Sequence, residues 1–186
     1  MTPRADRLEL AVPSGLVARL ERALRPFDAD GRTIAFAESC TAGLAAAAVS
    51  GVKGLGHVLD CAWVTYSDGA KSRLLGVPSP MIEQYGAVSE QVARLMAEGA
   101  LGRSPADVAV AITGFAGPAG PADEEGLVHF AMAASGAVTR HREEHFGTIG
   151  QDAVRLKAIG VVAELLASAP NGDWGNGSGS ATGTGG

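Results

Sequence analysis

One stretch of the chain constrains the fold most, because a short apolar segment runs through small polar residues directly into a helix-like segment. Residues 34–37 have the apolar character of a buried strand, and residues 44–49 are rich in alanine. Between them, residues 38–43 read Glu-Ser-Cys-Thr-Ala-Gly. Such a turn brings hydroxyl groups and unpaired backbone N–H groups to one place. Two interpretations follow. In the first, Ser39 is a nucleophile or a substrate ligand. In the second, Ser39 or Thr41 does no more than cap the helix.

Strand-like and helix-like patterns alternate along the rest of the chain and predict an α/β fold. The expected strands are residues 33–37, 58–66, 107–113, 126–134 and 137–146. The expected helices are residues 14–27, 44–49, 68–75, 89–101 and 151–169, with another opening at Ser79, and with Ser14 and Ser79 as caps. This order predicts a single three-layer α/β/α sandwich domain with a mixed β-sheet, whose polar last strand lies at an edge.

The two ends of the chain differ in composition from the predicted domain, which covers residues 14–169. Residues 1–13 combine mixed charges with two prolines and are expected to form a flexible arm. Residues 170–186 consist mainly of Gly, Ser, Thr and Asn, which bury too little apolar surface to offset ordering. We expect a flexible tail there.

Composition and charge exclude several classes of function. The net charge is −5 with acids and bases interspersed, so no nucleic-acid partner is expected. No stretch approaches the length of a membrane span, and the N-terminus lacks a signal-peptide core, so we expect a cytoplasmic protein without membrane contact. Cys40 and Cys61 are too few for a disulfide framework, and no Cys/His spacing resembles a zinc site. The four histidines are expected to be structural or at the surface, with no metal or cofactor.

Three expected strands end in residues that carry chemistry. Besides the turn with Ser39, Tyr66 ends the second strand, with Lys71 five residues on, and Thr113 ends the third strand before a Gly/Pro loop that begins at Gly114. Ligands of open α/β sheets bind outside the carboxyl ends of strands. A serine nucleophile needs a base, and a lysine serves if burial lowers its pKa. Taken singly, these residues are more typical of a solvated lysine on a helix, an aromatic at a strand end and an ordinary loop than of a site.

Taken together, the motifs resemble the CinA C-terminal domain family. Residues 37–43 (AESCTAG) resemble the family's A-E-S-C-T-G-G, and residues 64–71 (VTYSDGAK) its V-T-Y-S-N-x-A-K. Residues 113–118 (TGFAGP) resemble its T-G-I-A-G-P. Shorter matches lie at residues 75–77, 86–90 and 96–100. The resemblance extends from about residue 16 to residue 166, in order and at matching spacing.

The family includes nicotinamide-nucleotide amidohydrolases, which convert nicotinamide mononucleotide to nicotinate mononucleotide and ammonia in pyridine-nucleotide recycling. The resemblance implies that Ser39 attacks the carboxamide carbon while Tyr66 and Lys71 manage its proton. Backbone N–H groups near Thr41 or Gly114 would stabilise the oxyanion. It also implies a set of substrate-binding residues: Glu38, Thr41, Gly43, Thr113, Gly114, Gly117 and Arg155. The partner is a small nicotinamide nucleotide, no metal is required, and assembly into a homo-oligomer stays open.

The chain departs from the family pattern at three places. Ala42 replaces the first glycine of G-G, which adds a methyl where backbone approaches ligand. The acidic residues 123–125 stand where the family has a lysine, and Gln151 stands where it has an arginine. If those cations hold the substrate's phosphate, the chain lacks contacts worth about 1.5–3 kcal/mol each, unless Arg140, Arg142 or Arg155 compensates.

These departures leave two alternatives to the nicotinamide mononucleotide reaction. One is a deamidase whose nicotinamide substrate lacks the phosphate or differs in its base. The other is a non-catalytic relative that keeps the fold for protein contacts in competence or DNA damage. Retention of Ser39, Tyr66 and Lys71 favours an enzyme, whereas the missing cations favour the alternatives.

Overall fold

The computed structural model describes residues 12–169, which form five strands and six α-helices. The strands are β1 (Ile34–Glu38), β2 (Leu59–Val64), β3 (Val108–Gly114), β4 (Leu127–Ala134) and β5 (Arg140–His145). The helices are α1 (Ser14–Ala29), α2 (Leu44–Ser50), α3 (Asp68–Leu75), α4 (Ser79–Tyr85), α5 (Glu90–Leu101) and α6 (Gln151–Ala167). A 3₁₀ turn, Gly56–Val58, precedes β2.

All five strands belong to one mixed sheet in the order β2-β1-β3-β4-β5. β1 runs parallel to both β2 and β3, whereas β4 is antiparallel to β3 and to β5. The parallel pairs need helical crossovers, and the β4–β5 pair needs only a tight turn at Ser135 and Gly136. This arrangement confirms the predicted α/β/α sandwich with a mixed sheet and a polar edge strand.

The two faces of the sheet carry side chains of different size. One face packs against α1, α2 and α6 with large side chains: Ile34, Phe36, Val108, Val110, Ile112, Val128, Phe130 and Met132. The other face packs against α3, α4 and α5 with small ones: Ala35, Ala37, Ala109, Ala111, Ala131 and Ala133. Because successive strand residues point to opposite faces, strict alternation of large residues with alanine produces this asymmetry.

Two predicted helix caps are wrong. Helices α1 and α4 begin at Ser14 and Ser79 themselves, so each serine lies inside the first turn. The N-cap positions are occupied by Pro13 and Pro78, and neither helix has a side-chain cap bond. Both prolines are extended at ψ 138° and 129°, which already gives the entry geometry of an N-cap.

Serine caps do occur at the two helices that border the candidate site. Ser67 Oγ accepts a hydrogen bond from the Ala70 N–H at the start of α3. Ser89 Oγ accepts one from the Val92 N–H at the start of α5. These caps fix where both helices begin.

The predicted arm, residues 1–13, lies outside the described residues except for Val12 and Pro13, and the predicted tail, residues 170–186, lies wholly outside them. Among the helices of residues 12–169, none combines the length and the apolar character needed to cross a membrane.

Candidate active site

The turn after β1 is organised by the carboxylate of Glu38, which is fully buried. Oε2 accepts hydrogen bonds from the Thr41 hydroxyl at 2.7 Å, the Gly43 N–H at 3.0 Å and the Ala45 N–H at 3.1 Å. Oε1 accepts one from the Ala46 N–H at 2.9 Å. An anion at a helix start satisfies N–H groups that otherwise lack partners and interacts favourably with the helix dipole. The protein's own carboxylate therefore fills this position.

This arrangement changes the expectation for the first turn. The N-cap of α2 is Gly43 at φ 95°, without a side-chain cap bond, so neither Ser39 nor Thr41 caps the helix. Glu38, Thr41 and Gly43, three of the expected substrate ligands, are engaged with one another and do not line the adjacent cavity. Their contacts hold the turn that presents Ser39.

Ala42 adopts a left-handed conformation at φ 53°, and it is the one non-glycine residue of positive φ within residues 12–169. This conformation costs an alanine about 1 kcal/mol or more relative to glycine. Its side chain is exposed and does not line the cavity, so the expectation that its methyl lies where backbone approaches the ligand is wrong. The effect of this replacement is backbone strain.

A cavity of about 310 Å³ lies where the carboxyl ends of β1, β2 and β3 meet. This volume is at the lower end of the range typical of small-molecule sites. The lining residues come from the three strand ends and the turns after them, from α3, from the loop before α5 and from the start of α6: Ser39, Cys40, Tyr66, Asp68, Lys71, Ala87, Val88, Thr113, Gly114, Phe115, Ala116, Gly117, Pro118 and Gln151. The structure thus brings Ser39, Tyr66, Lys71 and Thr113 to one cavity.

Ser39 and Lys71 form a hydrogen-bonded pair at the bottom of this cavity. Lys71 Nζ donates to Ser39 Oγ at 3.2 Å and to the Thr65 carbonyl at 3.0 Å. Lys71 is only 1% exposed, which excludes the reading of a solvated helix charge. Burial lowers the pKa of the Lys71 amine, and the nearby Asp68 charge partly opposes this shift. A buried amine of lowered pKa is suited to accept the hydroxyl proton.

Tyr66 and Thr113 occupy different parts of the same cavity. Tyr66 lies at the rim and is 66% exposed. It is not one of the hydrogen-bond partners of the Lys71 amine, which are the Ser39 hydroxyl and the Thr65 carbonyl. Thr113 is fully buried, and its hydroxyl donates to the Ala87 carbonyl at 2.8 Å. Thr113 therefore fixes the loop that forms one wall.

Gly114, at the end of β3, and Gly117, in the loop after it, serve different purposes. A Cβ on Gly114 would lie 2.6 Å from the Leu127 carbonyl oxygen, so the close approach of β4 requires glycine there. A Cβ on Gly117 would meet the Gln151 side chain at an ordinary 3.6 Å. Gly117 and Gln151, the first residue of α6, both line the cavity.

Arg155, expected to bind substrate, lies outside the cavity lining. Its Nε donates to the Cys40 carbonyl at 2.9 Å and so ties α6 to the turn next to Ser39. Burial raises the pKa of the Cys40 thiol to about 12. Since the thiolate is the reactive form, Cys40 is inert at neutral pH despite its place beside Ser39.

The positions where the chain lacks the family's two cations differ in their distance from the site. Gln151 lines the cavity, whereas Asp123, Glu124 and Glu125 do not. Asp123 and Glu124 are exposed, and Glu124 contacts the His145 ring at 2.7 Å. The expectation that the acidic stretch faces the ligand is therefore wrong, because none of these residues lines the cavity.

Sequence reasoning missed Asp68, which lines the cavity and acts on the pKa of Lys71. Its position three residues before Lys71 in α3 was the available signal, since residues three apart share a helix face. Within the described residues, Asp68 is the single carboxylate of the cavity and no histidine lines it. The site therefore offers no metal-ligand set around Ser39.

The class defined by this fold and site is an α/β sandwich with a serine–lysine pair at the strand ends. The model of the CinA C-terminal domain family matches residues 18–169, and the chain belongs to this family. A CinA-like protein of Akkermansia muciniphila is 53% identical over 108 residues, covering 57% of this chain and 26% of that protein. The nicotinamide-nucleotide amidohydrolase PncC of Enterobacter agglomerans is 45% identical over 133 residues, covering 70% of this chain and 80% of that protein.

A solved structure has the same fold. The competence/damage inducible protein CihA from Agrobacterium tumefaciens aligns with a TM-score of 0.81 and 39% identity, covering 84% of this chain and 96% of that chain. The family resemblance found in the sequence is thereby confirmed. The chain spans about a quarter of the length of the Akkermansia relative.

Proposed function

We propose that this chain is an amidohydrolase in which Ser39 attacks the carboxamide of a nicotinamide compound and Lys71 takes up the serine proton. The observation that supports this most directly is the 3.2 Å contact between Ser39 Oγ and the buried Lys71 Nζ. Similarity to the relative named nicotinamide-nucleotide amidohydrolase supports the reaction class.

In the first half-reaction, neutral Lys71 accepts the Ser39 proton as Oγ bonds to the carboxamide carbon. The tetrahedral intermediate collapses when the carbon–nitrogen bond breaks, and the Lys71 ammonium returns the proton so that ammonia leaves. Tyr66, at the rim, assists this proton transfer toward the leaving group. The product is an ester of Ser39 with the nicotinate group.

In the second half-reaction, Lys71 is neutral again and takes a proton from water as the water oxygen attacks the ester. The ester bond breaks, Ser39 recovers its proton from Lys71, and the nicotinate acid is released. General base catalysis of this kind contributes about 10²–10⁴-fold to the rate. The proposed chemistry needs no metal ion, because Lys71 supplies the base and backbone N–H groups are the proposed oxyanion donors.

Backbone N–H groups of the turn are the proposed oxyanion donors. The Ser39 N–H donates to the Ile112 carbonyl at 2.9 Å and is already used. Neither the Cys40 N–H nor the Thr41 N–H donates to a backbone carbonyl within residues 12–169. The Cys40 N–H follows the nucleophile directly, which is the usual place for an oxyanion donor.

The proposed substrate is nicotinamide mononucleotide, with its phosphate toward Gln151 and the start of α6, where N–H groups and the helix dipole favour an anion. One observation favours the unphosphorylated riboside as a second candidate. Apart from Lys71, no cationic side chain of the described residues lines the cavity, so a phosphate meets only neutral donors. Arg155, one of the arginines considered as a replacement for the missing cations, donates to the Cys40 carbonyl instead.

Ammonia release from nicotinamide mononucleotide and from nicotinamide riboside tests this proposal. The wild-type protein should release ammonia from at least one, and Ser39→Ala should abolish it. Ser135→Ala, in the exposed turn of the β4–β5 hairpin, is the matched control and should be fully active. Trapping a covalent Ser39 adduct by rapid quenching and mass spectrometry would identify the nucleophile.

Two results would contradict the proposal. Full activity of the Ser39→Ala variant would remove the nucleophile. If the folded protein releases ammonia from neither compound, the non-catalytic alternative is supported instead, which is a protein-contact role related to competence or DNA damage.

A further inference from the structure

Three side chains that bear metal-binding atoms converge on the β4–β5 hairpin, outside the cavity. His129 on β4 lies opposite Glu143 on β5, and His141 lies opposite Ala131, two residues along. Alternate strand residues share a face, so all three belong to the face that packs against α5. None of them lines the cavity around Ser39.

We propose that His129, His141 and Glu143 form a binding site for a divalent transition-metal ion, with zinc as the best fit. His129 Nδ1 lies 3.0 Å from His141 Nε2 and 3.4 Å from Glu143 Oε2, and the ligand atoms of all three lie within 4.8 Å. Four ligands at about 2.0–2.1 Å from a tetrahedral zinc are separated by about 3.3 Å. The two separations from His129 Nδ1 are close to that of zinc-bound ligands.

The ligand types also favour zinc or a similar ion over calcium or magnesium. Imidazole nitrogens suit zinc, copper and nickel, whereas calcium and magnesium prefer oxygen ligands throughout. Burial lowers the pKa of both His129 and His141, which keeps them neutral, as metal ligation requires. Two imidazoles and a carboxylate leave a fourth position for water.

A second layer of contacts holds these ligands in place. The other ring nitrogen of His141, Nδ1, lies 3.4 Å from Glu90 Oε2, which directs Nε2 toward the proposed ion. Glu90 is in turn bonded by Arg94 Nε at 2.8 Å. Glu143 Oε1 contacts His145 Nε2 at 2.8 Å, leaving Oε2 toward His129. Such carboxylate–histidine–metal arrangements orient ligands in zinc sites, and their loss weakens metal binding about 10–100-fold.

The site joins two parts of the fold that are far apart in sequence. His129, His141 and Glu143 belong to the hairpin, whereas Glu90 opens α5, directly after its cap Ser89. A bound ion would therefore hold the start of α5 to the edge of the sheet. Any ligand that binds only the folded state stabilises it.

Titration of the untagged, chelator-treated protein with zinc chloride tests the proposal. Calorimetry should show one zinc ion per chain, and the thermal unfolding midpoint should rise with zinc. Cobalt(II) in place of zinc should give the intense visible absorption of a tetrahedral site. These readouts do not depend on any enzyme activity.

Matched variants assign the ligands. Glu143→Gln and His141→Ala should abolish stoichiometric zinc binding, whereas Glu90→Gln should weaken it about 10–100-fold. Glu143 has a side chain 43% exposed, so its replacement is the safer test should a buried histidine variant unfold. His57→Ala is the control, because His57 is exposed and contacts Asp28 away from the hairpin.

The proposal is overturned if the wild-type protein binds no zinc, or if Glu143→Gln and His141→Ala bind it as well as His57→Ala. Binding by all variants with several ions per chain would also refute it, since that pattern indicates surface association. A single ion lost only in the hairpin variants supports it.

Discussion

The Ser39–Lys71 pair and the His129–His141–Glu143 cluster both contain buried bases of lowered pKa, but their surroundings differ. The hydrogen bonds of the Lys71 amine go to a hydroxyl and a carbonyl, and no salt bridge reaches it within residues 12–169. The histidines instead face the carboxylates of Glu90 and Glu143. A buried base with neutral partners is poised to exchange a proton, whereas bases beside carboxylates are poised to hold a cation.

The largest expected effects come from two variants, one in each cluster, that should each remove one property and leave the other intact. Ser39→Ala should reduce amidohydrolase activity by at least about 10³-fold and leave zinc affinity unchanged. His141→Ala should abolish zinc binding and leave the activity within about twofold of wild type. Activity and zinc calorimetry are measured on both variants. Loss of both properties in either variant, with a folded protein, would show that the two clusters are not independent.

Lys71→Met should lower activity about 10²–10⁴-fold, because the general base is lost. It should also stabilise the fold by about 0.5–2 kcal/mol near neutral pH, because it removes a buried amine. The lowered pKa of Lys71 means that the unfolded chain binds more protons, so the free energy of unfolding of the wild type rises with pH up to the ordinary lysine value of 10.5. The variant should lack this rise.

Denaturant unfolding at several pH values measures the effect, with Lys53→Met as the exposed control. A Lys71→Met protein that is less stable than wild type at every pH would show that the amine is not desolvated.

Gln151→Arg should place a permanently charged cation in the cavity and tighten nicotinamide mononucleotide binding about 10-fold or more, because a charge-assisted contact is worth about 1.5–3 kcal/mol. Riboside binding should stay nearly unchanged. Calorimetry at low salt, where surface charges are least screened, makes the comparison. Asp123→Lys is the control, since Asp123 does not line the cavity and should change neither affinity much. Equal gains for both ligands would show that position 151 does not contact the phosphate.

Asp68→Asn has the smallest expected effect and tests the surroundings of Lys71. The Asp68 charge raises the pKa of Lys71 against the larger effect of burial, so its removal lowers that pKa further. Activity that needs neutral Lys71 falls as the pH drops through its pKa. The acid limb of the kcat/KM profile should therefore move to lower pH, with Glu83→Gln as an exposed control. A shift to higher pH would contradict Lys71 as the base.

The comparison also shows which parts of the molecule could be predicted from sequence. Ser39, Tyr66 and Thr113 converge because parallel strands end at the same edge of a sheet, and Lys71 follows one turn into α3. The sequence could not predict that the Glu38 carboxylate binds the backbone of its own turn, because a motif does not show whether a side chain faces the ligand or the turn.

The histidine cluster was beyond reach for a different reason. Spacing along the chain separates His129 from His141 by 12 residues, and only the hairpin register brings their rings together. The acidic residues 123–125 were misjudged because the path of a Gly/Pro loop depends on what it packs against. The local sequence pattern therefore predicted the helices and strands and the residues at the carboxyl ends of the strands. The contacts that depend on strand pairing or on the path of a loop could be seen only in the structure.

The buried carboxylate of Glu38 has a consequence for hydrogen exchange. The first amides of a helix normally exchange quickly with solvent because they lack partners. Here the Gly43, Ala45 and Ala46 amides are bonded to Glu38, so they can exchange only when the carboxylate releases them. Their protection factors would therefore report how often the turn that carries Ser39 opens, separately from the unfolding of the whole domain.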